Sequence, residues 1–325
     1  MTPAVGGDGS AAAPEFLVVG AAKSGTTALH RWLSLHPQLQ LPAIKESNFF
    51  AFRGRVPEFH GPGDAEALTR SDLVASVASE EAYQRLFEPW DGRRLRGEVC
   101  PLYLYSPAAA VNIRELAPAA RLIAVLRDPA ERAFSQFLMM RESGREPLAD
   151  FRRALAEEER RIAAGWEHAW HYRSMGHYDD QLGRYLELFP RSQIRVHLYD
   201  DLVADAATLL ADLFDFLGVP PVDVGDTERR HNPSGLPRSE LVDRMLRQPG
   251  LLRSALRPLL PRSWRRRLGG AVRDLNLARP FLDPELRAEL IDGYRPTIAR
   301  LEEMIGRDLS AWLEVRSAAG AERTG

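Results

Sequence analysis

Two lysines stand apart in a chain that otherwise uses arginine. Of its 43 basic residues only Lys23 and Lys45 are lysines, and each sits inside a motif-like stretch. Lysine carries a compact point charge and arginine a wide planar fork, so a lysine kept against such a bias marks a place that needs the compact charge. Lys23 lies in Gly20-Ala21-Ala22-Lys23-Ser24-Gly25-Thr26-Thr27. Two glycines bracket four residues and hydroxyls follow, the composition of a loop whose backbone N–H groups and helix N-terminus cradle a phosphate. A nucleotide P-loop would place lysine directly after the second glycine; here that slot is Thr26, and Lys23 is inside the loop. The plainer alternative is a strand-turn-helix junction with glycines for the turn alone.

A second anion site is expected at Arg127, which ends the apolar run 121–127 and is followed by Asp128-Pro129, Arg132 and Ser135. The guanidinium fork suits a second phosphate, with Ser135 as a further donor. The alternative is a helix capped by Asp128 beside a solvated arginine. Lys45-Glu46 precede Phe49-Phe50. A carboxylate near an anion site repels the anion, and the useful reason to keep it there is proton removal from an acceptor. Burial against Phe49 and Phe50 is expected to raise its pKa toward that of a working base; the alternative is a helix-start glutamate above core aromatics. His177 and His60 are the rival bases.

These residues need elements to hold them. Residues 15–20 read as a buried strand, and 26–35 as a helix with Leu29, Trp32 and Leu33 on one face, stopped by His36-Pro37. Residues 121–127 form a second strand, with a helix from Asp128-Pro129 to about Met140. Residues 194–199 form a third, with Asp200 capping a helix to about Leu217. Strand alternating with helix predicts an α/β fold: a single domain, residues 15–315, with a central parallel sheet, helices on both faces and a P-loop-like phosphate site. The carboxyl edge of such a sheet is where ligands bind, which puts Arg127 on the same edge as the Lys23 loop. Residues 1–14 and 316–325 read as flexible tails, 51–80 and 219–240 as loop-rich insertions, and 283–312 as a helix with Leu286, Leu290, Ile298, Leu301 and Ile305 as its stripe.

The chain has 325 residues, 45% of them hydrophobic and 27% charged, which excludes disordered and fibrous classes. A formal net charge of −2 gives no global pull toward nucleic acid or membrane. No apolar run reaches membrane-spanning length, the first residues do not read as a signal peptide, and Cys100 is the lone cysteine; a cytoplasmic setting is expected.

The stretches GAAKSGTTALHRWL, KESNFF, GEVCPLYLY, RLIAVLRDPAERAFSQF and GHYDDQLGRYLELFP, in this order, resemble the landmarks of sulfotransferases that use 3′-phosphoadenosine 5′-phosphosulfate. The similarity is to the branch with carbohydrate-sulfating enzymes and bacterial relatives. The resemblance implies that Ala22, Lys23, Ser24, Gly25, Thr26 and Thr27 hold the 5′-phosphosulfate, that Arg127 and Ser135 hold the 3′-phosphate, and that Glu46 is the general base. It implies transfer of a sulfuryl group to a hydroxyl or amine of a carbohydrate or small molecule, with the 3′,5′-bisphosphate as product. Arg229 and Arg230, in a polar loop near the family's closing loop, are further cofactor contacts by a looser match. Val99 and Cys100 stand where glycosaminoglycan-sulfating relatives often carry Lys and Thr, which argues against a heparan-like acceptor.

No acidic metal cluster is visible, so no metal is expected. From Arg244 to Arg273 there are nine arginines and no acidic residue. A solvated face is the favoured reading there, ahead of an anionic acceptor or a membrane surface, because Pro249, Pro258 and Pro261 interrupt a long surface helix. The rival functions are a P-loop kinase, disfavoured by Thr26 in the lysine slot, and a non-catalytic anion-binding or membrane-surface protein on the same fold.

Overall fold

A computed structural model describes residues 13–62, 76–225, 236–237, 277–278 and 280–315. The expected tails, the Arg229-Arg230 pair and the 244–273 segment lie outside the described residues, apart from Ala13 and Pro14. In chain order the elements are β1 (Phe16–Gly20), α1 (Thr26–Ser34), β2 (Leu39–Gln40), α2 (Phe49–Phe52), α3 (Glu80–Arg85), β3 (Leu95–Val99), α4 (Leu102–Tyr105) and α5 (Pro107–Leu116). They continue with β4 (Arg121–Leu126), α6 (Pro129–Glu142), α7 (Phe151–Ala156), α8 (Glu158–Ala163), α9 (Tyr178–Leu188), β5 (Ile194–Leu198), α10 (Tyr199–Ala204) and α11 (Ala206–Leu217). A two-residue pair, Leu236–Pro237 with Leu277–Ala278, and α12 (Pro284–Ile305) complete the order.

The main sheet has five strands in the order β2-β3-β1-β4-β5, and every pairing is parallel. A parallel sheet must be covered on both faces, which is why β1 and β4 read as unbroken apolar runs. Leu17, Val19, Leu122, Ala124 and Leu126 face a core built from α2, α4, α5, α6, α9 and α12. Phe16, Val18, Val99, Ile123 and Val125 face the other, where Leu29, Trp32 and Leu33 of α1 meet Leu209, Leu213, Phe214 and Leu217 of α11. The single parallel sheet with helices on both faces is the expected architecture.

Two helix boundaries differ from the sequence reading. The helix expected from Asp200 to Leu217 is two, because the chain turns extended at Asp205 (φ −154°), whose carboxylate then accepts from the Thr208 amide at 3.0 Å and starts α11. The C-terminal helix ends at Ile305 instead of running to Trp312, because Gly306 adopts the left-handed conformation (φ 65°) that closes helices. Trp312 is buried from a separate short turn, Ser310–Leu313.

Candidate active site

The strand order β3-β1-β4 brings three carboxyl ends together: β1 and β4 lead into Lys23 and Arg127, and the end of β3 holds the backbone of Glu46. From β1 the chain enters the Lys23 loop, where Lys23 (φ 67°) and Gly25 (φ 83°) are both left-handed. Gly25 also needs its missing side chain: a Cβ there would lie 3.1 Å from Leu202 and 3.4 Å from the Tyr199 ring. Gly25 precedes α1, and no side chain caps that helix, so its positive end faces the loop. The Ser24 hydroxyl is buried with no hydrogen-bond partner among the described residues, Thr26 is buried, Ala22 and Lys23 are partly buried, and Thr27 is exposed.

From β4 comes Arg127. Its Nη1 donates to the Lys23 carbonyl at 3.1 Å, and its guanidinium lies 4.8 Å from the Tyr199 ring centroid. Burial pulls the Lys23 ammonium down to about 8, with Arg127, Lys45 and Arg132 adding repulsion and Glu142 opposing it. A cation made uncomfortable by its neighbours is one that an anion would relieve. Arg132 is fully buried; its Nη2 donates to the Tyr172 carbonyl, while Nε and Nη1 have no partner among the described residues. Ser135 stands one turn beyond Glu131 on the same face of α6 and is nearly buried.

From β3 comes the support for Glu46, whose amide donates to the Val99 carbonyl at 3.3 Å. Glu46 (φ 65°) and Asn48 (φ 58°) are left-handed, a conformation rare for such residues outside sites that hold it in place. Phe49 and Phe50 do not bury Glu46. Its side chain is 33% exposed and ion-paired with Lys45, while the two rings turn inward to Tyr83 and Tyr103. The carboxylate in that aromatic core is Glu98. It is fully buried and accepts from the Ser47 amide (2.9 Å), Tyr83 Oη (3.0 Å) and Tyr103 Oη (2.8 Å). Burial raises its pKa, and those hydrogen bonds oppose the rise. Glu98 thus grips the backbone between Glu46 and Asn48.

The rival bases belong to other parts of the fold. His177 Nδ1 is 2.9 Å from Thr297 Oγ1 of α12. The His60 backbone pairs with Gly165 and Glu167 in an isolated bridge. Cys100 is buried, its thiol donates to Asn48 Oδ1 at 3.2 Å, and burial pushes its pKa up. Sequence reasoning missed Glu98, Tyr199 and Glu131. Only Glu98 had a local signal, a charged residue inside a short strand, which is rare without partners. No group of three or more His, Cys, Asp or Glu is gathered as a metal site among the described residues. No helix among them is long and apolar enough to cross a membrane.

Comparison with known proteins fits this geometry. The model of a sulfotransferase family matches residues 14–223. A sulfotransferase of known crystal structure from Alicyclobacillus acidocaldarius is 34% identical and superposes with a TM-score of 0.71, covering 93% of this chain and 100% of that one. The bifunctional heparan sulfate N-deacetylase/N-sulfotransferase 2 of Mus musculus is 28% identical over 218 residues, 64% of this chain but only 22% of that protein. The mouse heparan sulfate glucosamine 3-O-sulfotransferase 3B1 is 25% identical over 306 residues, 93% of this chain and 66% of that protein. The chain spans 22% of the length of the first curated relatives it matches. With a family match over most of its length and a full-length structural counterpart, the chain belongs to the sulfotransferase family of enzymes.

Proposed function

We infer that this chain moves a sulfuryl group from 3′-phosphoadenosine 5′-phosphosulfate to a hydroxyl or amine of a carbohydrate or small molecule. The observation that carries this reading is the convergence of the Lys23 loop, Arg127 and Glu46 on three adjacent strand ends. The residues fit such a donor: burial first, and then the positive charges of Arg127, Lys45 and Arg132, lower the Lys23 pKa, and the Ser24 hydroxyl is buried with no hydrogen-bond partner among the described residues. Residues 22–27 would hold the 5′ end of the donor, and Arg127 with Ser135 the 3′-phosphate. Arg229 and Arg230 are proposed as further contacts.

When bound, the donor supplies the sulfuryl group. Lys23 stabilises the negative charge that develops on the departing phosphate oxygen, the kind of preorganised electrostatic contribution that dominates group transfer. Glu46 takes the acceptor proton. The Lys45 ammonium, paired with Glu46, offsets the repulsion between that carboxylate and an anionic donor.

An acceptor screen with labelled phosphosulfate donor, read as a mass gain of one sulfuryl group, tests the reading. Turnover with a hydroxyl- or amine-bearing acceptor is expected. Phosphoryl transfer from ATP without sulfuryl transfer would overturn it.

A further inference from the structure

Arg287, on the C-terminal helix and beyond the residues that match the family model, reaches the backbone and side chains beside Arg127. It is 1% exposed. Its Nη2 donates to Asp128 Oδ2 at 2.6 Å and to the Trp312 carbonyl at 3.3 Å, and its Nε donates to the Glu314 carbonyl at 2.9 Å. Its remaining nitrogen, Nη1, donates to Glu131 Oε1 at 3.3 Å. The other oxygen of Glu131 lies 4.0 Å from Arg127 Nη2, the outer limit of an ion pair. One carboxylate is therefore shared between a buried arginine held by three other acceptors and a partly exposed arginine meant for an anion.

We propose that Arg287 is a positioning residue for the 3′-phosphate site: it holds Glu131 and so keeps that carboxylate from closing on Arg127. The proposal rests on the cofactor reading above. Glu131 follows Arg127 by four residues, the spacing at which opposite charges pair. Without another cation, Glu131 would close on Arg127 and mask it. Asp128 is no such competitor, since its Oδ1 caps the amides of Ala130 and Glu131 at 2.9 and 3.1 Å and its Oδ2 belongs to Arg287. Charge leads to the same conclusion. Arg287 neutralises one of the two carboxylates, Asp128 and Glu131, and so leaves more of the positive charge of Arg127, Arg132 and Lys23 for a phosphate. A lysine at 287 lacks the fork that spans both carboxylates; as a point charge it should keep the nearer partner, Asp128 at 2.6 Å, and release Glu131, which Arg287 holds at 3.3 Å.

The test is calorimetric titration of the full chain with adenosine 3′,5′-bisphosphate and with AMP, taking the ratio of the two affinities as the readout. In Arg287→Lys the ratio should fall about tenfold, the effect of losing one charged hydrogen bond. Adding Glu131→Gln to that variant should restore the ratio to within about threefold of the wild type, because the masking carboxylate is gone. No change in Arg287→Lys, or a loss that Glu131→Gln does not repair, would overturn the proposal and leave Arg287 a brace for the C-terminal helix. Should Arg287→Lys not fold, Glu131→Gln alone decides. A ratio within about threefold of the wild type supports the proposal, since Glu131 is already occupied; a gain of about tenfold means that Glu131 masks Arg127 even with Arg287 in place, and overturns it. A wild type that binds bisphosphate and AMP equally overturns the cofactor reading, and the proposal falls with it.

Discussion

Arg127, at the end of β4, holds the carbonyl oxygen of Lys23, in the loop after β1, with a 3.1 Å hydrogen bond from Nη1. One side chain thus joins the two anion sites: the residue that should grip the 3′-phosphate also braces the loop that should grip the 5′ end. Arg127→Ala should weaken adenosine 3′,5′-bisphosphate binding by about 2–3 kcal/mol, the cost of a lost charged hydrogen bond with its partner left unpaired. Through the loosened Lys23 loop it should also weaken AMP, by about 1 kcal/mol. Calorimetry with both ligands separates the two effects, and equal losses would show that Arg127 only braces the loop.

Lys23 should be more sensitive to geometry than to charge. Its left-handed backbone and the two flanking glycines leave room for a compact ammonium. Lys23→Arg and Lys23→Ala should both lower turnover by about 10²–10³-fold, the effect of losing one preorganised group at developing charge. A fully active Arg variant in steady-state assays would mean that any cation serves.

The pH dependence follows from the same residue. Lys23 loses its proton near pH 8 instead of near 10.5. The free enzyme therefore carries the ammonium below about 8 and loses it as pH rises through that value. kcat/KM for the donor should fall above pH 8, and kcat should hold to higher pH because a bound anion favours the charged form. Measured profiles of both constants check this; the same falling limb in Lys23→Ala would assign it to another group.

Glu46→Gln should cut transfer about 10²–10⁴-fold while leaving the fold intact, since the side chain is partly exposed and its partner Lys45 is too. Bisphosphate affinity should hold or improve as a negative charge disappears. Near-wild-type turnover in a single-turnover assay would place the base elsewhere.

Glu98 should matter first to stability. Glu98→Ala strands the Ser47 amide and the Tyr83 hydroxyl and takes one partner from the Tyr103 hydroxyl, which should cost about 2–4 kcal/mol in denaturant unfolding. Because burial raises the folded-state pKa of Glu98, its contribution is fully present below the ordinary carboxylate pKa and lost as pH rises through the raised value. Glu98→Gln should therefore gain stability relative to the wild type across that rise. A difference independent of pH would mean that Glu98 titrates normally.

The strand–loop–helix units were readable without coordinates. An apolar run ending in glycine, a helical stripe such as Leu29, Trp32 and Leu33, and a Pro after an Asp cap are local patterns, and local patterns decide local structure. Lys23 stood out as one of two lysines, inside a glycine-bracketed loop, and Arg127 as a charge at a strand end. The burial expected for Glu46 failed because adjacency in sequence does not set which way neighbouring side chains turn: left-handed turns at Glu46 and Asn48 leave Glu46 with Lys45 and send Phe49 and Phe50 into the core.

By itself, then, the sequence determined an α/β chain with a candidate phosphate-cradling loop and a candidate second anion site. The tertiary structure decided how these parts meet. The sequence already put Lys23 and Arg127 on one edge; the strand order β3-β1-β4 and the Glu46 amide bond to Val99 add Glu46 to it. The residues that hold them are distant in the chain: Arg127 meets Lys23 across 104 positions, and Arg287 meets Asp128 across 159. Such contacts form only after the sheet has assembled and both faces are packed, because a hydrogen bond between remote side chains depends on strand order and helix placement, which no local spacing encodes.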